Sequence, residues 1–126
     1  MNTRTITLDT HNAIVLVTAP LLMVVPYLLT FSPGLGLISF FLGCLMMSLA
    51  LTDAAPSGSL AVAGRDRIPV AAHAGLDRAL AATIIGIGIV AAVPGGQPLA
   101  SIFLVGFGAA YMAHTAFTRY SARDAL

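Results

Sequence analysis

The sequence predicts an all-α polytopic membrane protein: four transmembrane helices built as two tandem helical hairpins, with both termini cytoplasmic. Three observations carry this expectation. Apolar residues make up 58% of the chain and charged residues 9%, with a mean hydropathy of +0.94, too little charge to cover a soluble domain. Charge-free stretches run from Thr10 to Thr52 and from Ala79 to Thr118, each about twice the roughly 20 residues that one helix needs to span a bilayer. Both stretches have Pro and Gly near their middle, where these residues break helices and favour turns.

The first helix is expected over about 11–30. Asp9 or Thr10 can cap it by accepting from the orphan donors of its first turn. Pro20 predicts a kink, its freed carbonyl served by Thr18 or a neighbouring helix. Pro26 helps to end this helix, and PYLLTFSP at 26–33 is an outer turn with Tyr27 and Phe31 at headgroup level. The second helix follows over 34–52, with Pro33 at its start. Residues 53–69 are Pro-, Gly-, Ala- and Ser-rich and read as a solvated linker, its Gly64-Arg65-Asp66-Arg67 end lying against headgroups. Pro69 opens a third helix over 70–93. His73, Asp77 and Arg78 fall in its first turns at headgroup depth, with Arg78 snorkelling. PGGQP at 94–98 is the second outer turn, and Pro98 starts the fourth helix over 98–118. The organisation is one integral membrane domain over 1–126: hairpin one at about 11–52, the linker at 53–69, and hairpin two at about 70–118.

Arginine placement sets the orientation. Arg4, Arg65, Arg67, Arg78, Arg119 and Arg123 all fall on one side of an even number of spans, and basic residues resist translocation. The expected location is a cell (inner or plasma) membrane, multi-pass. The head, with a single Arg before a long Pro-containing apolar run, does not read as a secretory signal.

The halves also match each other. Leu8-Asp9 aligns with Leu76-Asp77, and Pro26 with Pro94, at an offset of 68. Pro33 aligns with Pro98, Gly43 with Gly108 and Met47 with Met112 at an offset of 65, which makes the second turn three residues shorter. Both copies start inside, so the repeat is direct, with a pseudo-two-fold axis along the membrane normal. With Ser32-Pro33-Gly34 at its outer turn, the tandem resembles the small four-helix bacterial membrane proteins built from SPW repeats. It also resembles the HdeD-like acid-resistance membrane protein repeats. The chain has no Trp, and Gly34 stands where the SPW Trp would be. The first resemblance implies no assigned activity; the second implies at most a link to envelope stress.

Chemistry-bearing residues are few. The chain has no Lys and no Glu, and its one cysteine, Cys44, sits mid-helix, where a thiol stays protonated and inert. Met46 and Met47 read as packing. Gly-x-Gly at 34–36, 86–88 and 106–108 lies outside any strand–helix nucleotide unit. In size and helix count the chain resembles the small four-helix multidrug exporters, but those depend on a Glu in the first helix, and a proton-coupled site needs such an intramembrane charge. His11, His73 and His114 are expected near the cytoplasmic face with Asp9 and Asp77. A divalent metal site there is conceivable on residue type, but no HxxxH or ExxH spacing exists. Headgroup-level histidines are the favoured reading, and haem is disfavoured because only His114 is expected within the membrane. No catalytic, cofactor-binding or metal residue is therefore assigned, and no cofactor.

Small residues recur at Gly36, Gly43 and Ala50, at Ala82, Gly86, Gly88 and Ala92, and at Gly106 and Ala110. Such stripes let helices approach closely where lipid is as apolar as leucine. The expected function is a non-enzymatic structural or accessory subunit. Its partners would be the bilayer and either a second copy or a larger membrane complex, with no basic patch for nucleic acid. The alternative is a small oligomeric transporter or channel for an uncharged solute, with a polar seam at Thr18, Ser39, Ser48, Thr83 and Thr115.

Overall fold

In the computed structural model, which describes residues 4–54 and 70–120, the regular elements are α1 (Leu8–Leu28), α2 (Pro33–Ala54), α3 (Val70–Ala91) and α4 (Pro98–Phe117). All four are long and apolar enough to cross a membrane. The helices start and stop close to the expected bounds, with three differences. Thr7, not Asp9 or Thr10, caps α1: its hydroxyl accepts from the Thr10 amide at 3.2 Å. Pro26 lies inside α1, which runs on to Leu28. Thr18 donates to the Ile14 carbonyl at 2.9 Å, whereas the carbonyl freed by Pro20 is that of Leu16. Pro69 and nearly all of the 53–69 linker lie outside the described residues.

Each turn is closed by its own backbone bonds. After α1, the Phe31 amide donates to the Pro26 carbonyl at 2.9 Å and the Thr30 amide to that of Tyr27 at 3.2 Å. This is a Schellman closure whose left-handed position normally holds Gly; here it holds Thr30 at φ 54. Thr30→Gly is expected to raise stability by about 1 kcal/mol, read as a higher midpoint of unfolding in detergent. The second turn spans residues 92–97. The Gly96 amide donates to the Val93 carbonyl at 2.7 Å, and Gly95 has φ 84, a type II turn with Pro94 leading.

α1 packs along α2 and α3 along α4, while α2–α3 and α1–α4 touch only sparsely. The bundle is thus two tight hairpins joined along a thinner seam. Gly43 lets α1 and α2 close: a Cβ there would lie 3.0 Å from the Ala19 carbonyl oxygen and 2.4 Å from Met23 Cγ. Gly108 does the same between α3 and α4, at 3.1 Å from the Ala81 oxygen and 2.6 Å from Ile85 Cγ1.

These contacts reset the register of the repeat. Gly43 and Gly108 keep the offset of 65, but Ala19 pairs with Ala81 and Met23 with Ile85, an offset of 62. The buried residues of α1 (11, 12, 15, 19, 22, 26) fall on those of α3 (73, 74, 77, 81, 84, 88) at the same offset, and Leu8 falls on Val70, the first residue of each helix. The expected offset of 68 is therefore corrected, and the second turn is longer than the first, not shorter. A Leu-Asp pair and the turn prolines point to 68, but they do not set the packing. Packing follows the buried stripe at three- and four-residue steps instead.

Pseudo-equivalent residues then meet across the seam at both ends. At the turn end, the Ser32 amide donates to Gln97 Oε1 at 2.7 Å, and Ser32 and Gln97 are equivalent at offset 65. Gln97→Ala is expected to cost about 1 kcal/mol, visible as a lower unfolding midpoint. At the opposite end, His11 and His73, equivalent at offset 62, have ring centroids 6.1 Å apart. The core between is apolar: Val15, Ala19, Leu22, Leu42, Met46, Ala50, Ala81, Ile84 and Leu104 form one cluster reaching Tyr111.

Candidate functional site

At the His11 end, separate segments bring polar side chains into one buried cluster. The first turn of α1 supplies His11. The early turns of α3 supply His73 and Asp77, four apart and so on one helix face. The last turns of α4 supply Tyr111 and His114, and the chain beyond α4 supplies Thr118 and Tyr120. The segment before α1 covers the end: Ile6 pairs with Thr118 in an isolated parallel bridge, through Ile6 N–H to the Phe117 carbonyl (3.1 Å) and Arg119 N–H to the Ile6 carbonyl (2.8 Å). Arg119 Nε also donates to the Arg4 carbonyl. The segments flanking α1 and α4 thus lie at the same end of the bundle.

Asp77 is the hub. One carboxylate oxygen, Oδ1, accepts from the Tyr111 hydroxyl. The other, Oδ2, accepts from the Tyr120 hydroxyl at 2.7 Å and lies 3.0 Å from His11 Nε2 and 3.1 Å from His73 Nε2. His11, His73 and Asp77 are only 0%, 1% and 2% exposed. His11, His73 and Asp77, expected at headgroup depth, are all buried inside the bundle end. Asp9, expected beside them, is exposed. Burial, and then the adjacent Asp77 carboxylate, push the Tyr120 phenol well above its ordinary range, so it remains a donor to Oδ2.

The His11 tautomer follows from proton counting. The Thr118 hydroxyl donates to the His114 carbonyl at 2.8 Å, which commits its only proton. Its contact with His11 Nδ1 at 2.9 Å therefore has Nδ1–H donating to Thr118 Oγ1. His114 stacks on the His11 ring at 4.5 Å with 7° between planes, fixing the ring from the other side. His11 Nε2 then faces Oδ2 within contact distance but out of hydrogen-bond alignment. Asn12, next in sequence and 1% exposed, has no partner for either amide atom among the described residues.

Tyr111, Thr118 and Tyr120 do not stand out in the sequence. The available signal is the His73–Asp77 spacing of four, which puts an acid and an imidazole on one face of a spanning helix. Thr18, Thr83 and Thr115 each bond back to a carbonyl of their own helix (Ile14, Ala79 and Met112), Ser48 is exposed, and Ser39 is buried without a partner among the described residues. Comparison with protein-family models, with curated proteins and with solved structures found no match.

Proposed function

We propose that the chain is a non-enzymatic integral membrane protein of a cell membrane, a structural or accessory subunit that associates with itself or with a larger membrane complex. The observation that carries this reading is the division of its small residues. Gly43, Gly88 and Gly108 are used up between helices of the same hairpin. A Cβ added at Gly86 or Gly106 would meet nothing within 4 Å, and Ala82 and Ala110, four residues from each, are exposed. Small residues four apart on an outward face suit close helix association in lipid. The buried cluster serves such a subunit as the lock that holds hairpin one on hairpin two.

In this reading the arginines place the cluster end at the cytoplasmic side. The SPW-like turn at Ser32-Pro33-Gly34 belongs to the same reading and adds no activity. Size and cross-linking measurements in mild detergent and in lipid nanodiscs test it. Wild-type protein is expected as an oligomer or as a stable complex with partners. Gly86→Leu with Gly106→Leu is expected to give a folded monomer. A wild-type chain that is strictly monomeric and partnerless contradicts the reading.

A further inference from the structure

We propose that His11, His73 and Asp77 bind one divalent first-row transition metal, of the class that includes zinc, at the seam between the two hairpins. The proposal rests on the reading of this cluster as the lock, and adds what occupies it. Four observations lead there.

The first is convergence. One ligand atom from each of the three residues lies within 4.8 Å of the other two. Donors bound to zinc at about 2.0–2.2 Å sit about 3–3.5 Å from one another, and the Nε2–Oδ2 distances are 3.0 and 3.1 Å.

The second is the state of His11. With Nδ1–H given to Thr118, a neutral His11 turns the Nε2 lone pair toward the Asp77 carboxylate oxygen, 3.0 Å away, with both residues buried. That arrangement is repulsive unless a positive charge lies between them. A proton on Nε2 or a bound cation supplies that charge, and Nε2 has no hydrogen-bond partner in this geometry. A ligating histidine typically gives its other ring N–H to a fixed acceptor, which sets ring and tautomer; Thr118, held by the His114 carbonyl, is such an acceptor.

The third is crowding at Oδ2. Tyr120, His11 and His73 all approach this one oxygen, which offers two lone pairs. One cation shared by both imidazoles and Oδ2 removes the excess.

The fourth is symmetry. His11 and His73 hold equivalent places in the two hairpins and present the same nitrogen, Nε2, across the pseudo-axis. The second hairpin adds Asp77 where the first has Val15, so one half supplies an imidazole and the other an imidazole and a carboxylate. Two imidazoles with one carboxylate suit zinc, iron, nickel or copper, not magnesium or calcium. Tyr120 donates to Oδ2 at 2.7 Å and so supports the carboxylate beside the three grouped ligands.

The test uses full-length, tag-free protein in mild detergent, stripped with chelator and titrated with Zn2+ by calorimetry and with Co2+ by visible absorption. The expected result is one metal per chain, a Co2+ ligand-field band, no competition from excess Mg2+ or Ca2+, and a higher unfolding midpoint with metal bound. His11→Gln and His73→Gln are expected to weaken Zn2+ binding more than about 100-fold, and Thr118→Val, which leaves all three ligands, about 10–100-fold. Should the glutamine variants fail to fold, Thr118→Val and the metal-dependent shift of the wild-type midpoint decide. Folded wild-type protein that binds neither metal, or binding unchanged by these variants, overturns the proposal. If it is overturned while removing Asp77 still loosens the bundle, a proton occupies the lock, and the lock itself stands.

Discussion

Asp77→Ala is expected to destabilise the bundle by about 3–5 kcal/mol, the range for removing one partner from a buried charged pair. The side chain accepts from two phenols and faces two imidazoles, with 2% of its surface exposed. Alanine leaves the Tyr111 and Tyr120 hydroxyls pointing into a cavity without an acceptor, and each buried unsatisfied donor adds about 1–3 kcal/mol of desolvation cost. Asp77→Asn keeps the volume and one acceptor oxygen, so it is expected to lose less than alanine while also losing the negative charge. Asp9→Ala is the control. Asp9 is exposed in the first turn of α1, where a carboxylate contributes about 0.3–1 kcal/mol through the helix dipole. Unfolding followed by circular dichroism in detergent measures all three, and equal losses for the Asp9 and Asp77 variants would contradict the placement of Asp77.

Gly88→Ala is expected to cost about 1–3 kcal/mol, the usual penalty for overpacking. An added Cβ would lie 2.8 Å from the Val105 backbone nitrogen and 3.0 Å from Leu104 Cβ. Neither is the free end of a flexible chain, so α3 and α4 must move apart. Two residues away, Gly86 has open space where its side chain would stand. In protein dissociated to single chains by detergent, the same change there is expected to be neutral or to stabilise by up to about 1 kcal/mol through helix propensity. The pair separates inward from outward faces of one helix by midpoint alone. A loss at Gly86 comparable to that at Gly88 would mean that the outward face is already occupied.

The four helices are legible in the sequence because span length and charge exclusion are properties of stretches, and stretches survive single-residue ambiguity. Their ends are less so. Thr7 outcompetes Asp9 as the cap of α1, and Pro26 is absorbed into the last turns, where its missing amide costs only one bond. The repeat is legible as a fact but not in register. Turn prolines and a Leu-Asp pair suggest one alignment, while Ala19, Met23, Ala81 and Ile85 show another through the glycines they meet. That register matters for the site, because only an offset of 62 equates His11 with His73. Taken singly, each histidine near a helix end suits a headgroup, and nothing local distinguishes a buried one. Asp77, four residues after His73 on a spanning helix, is the one available sign, since an acid placed there is costly without partners. Tyr111, Thr118 and Tyr120 join it through the packing of α4 and its following segment against α1 and α3, which no spacing in the chain encodes.

The most direct test of the lock is a double-mutant cycle between its two hairpins. His11→Ala, Asp77→Ala and the double variant are compared with wild type for unfolding free energy in mild detergent, with metal chelated in one series and Zn2+ added in another. Residues in contact couple by about 0.5–3 kcal/mol. Coupling within that range is expected in both series, and larger with Zn2+. Strict additivity of the two single losses in both series would mean that His11 and Asp77 do not hold the hairpins together.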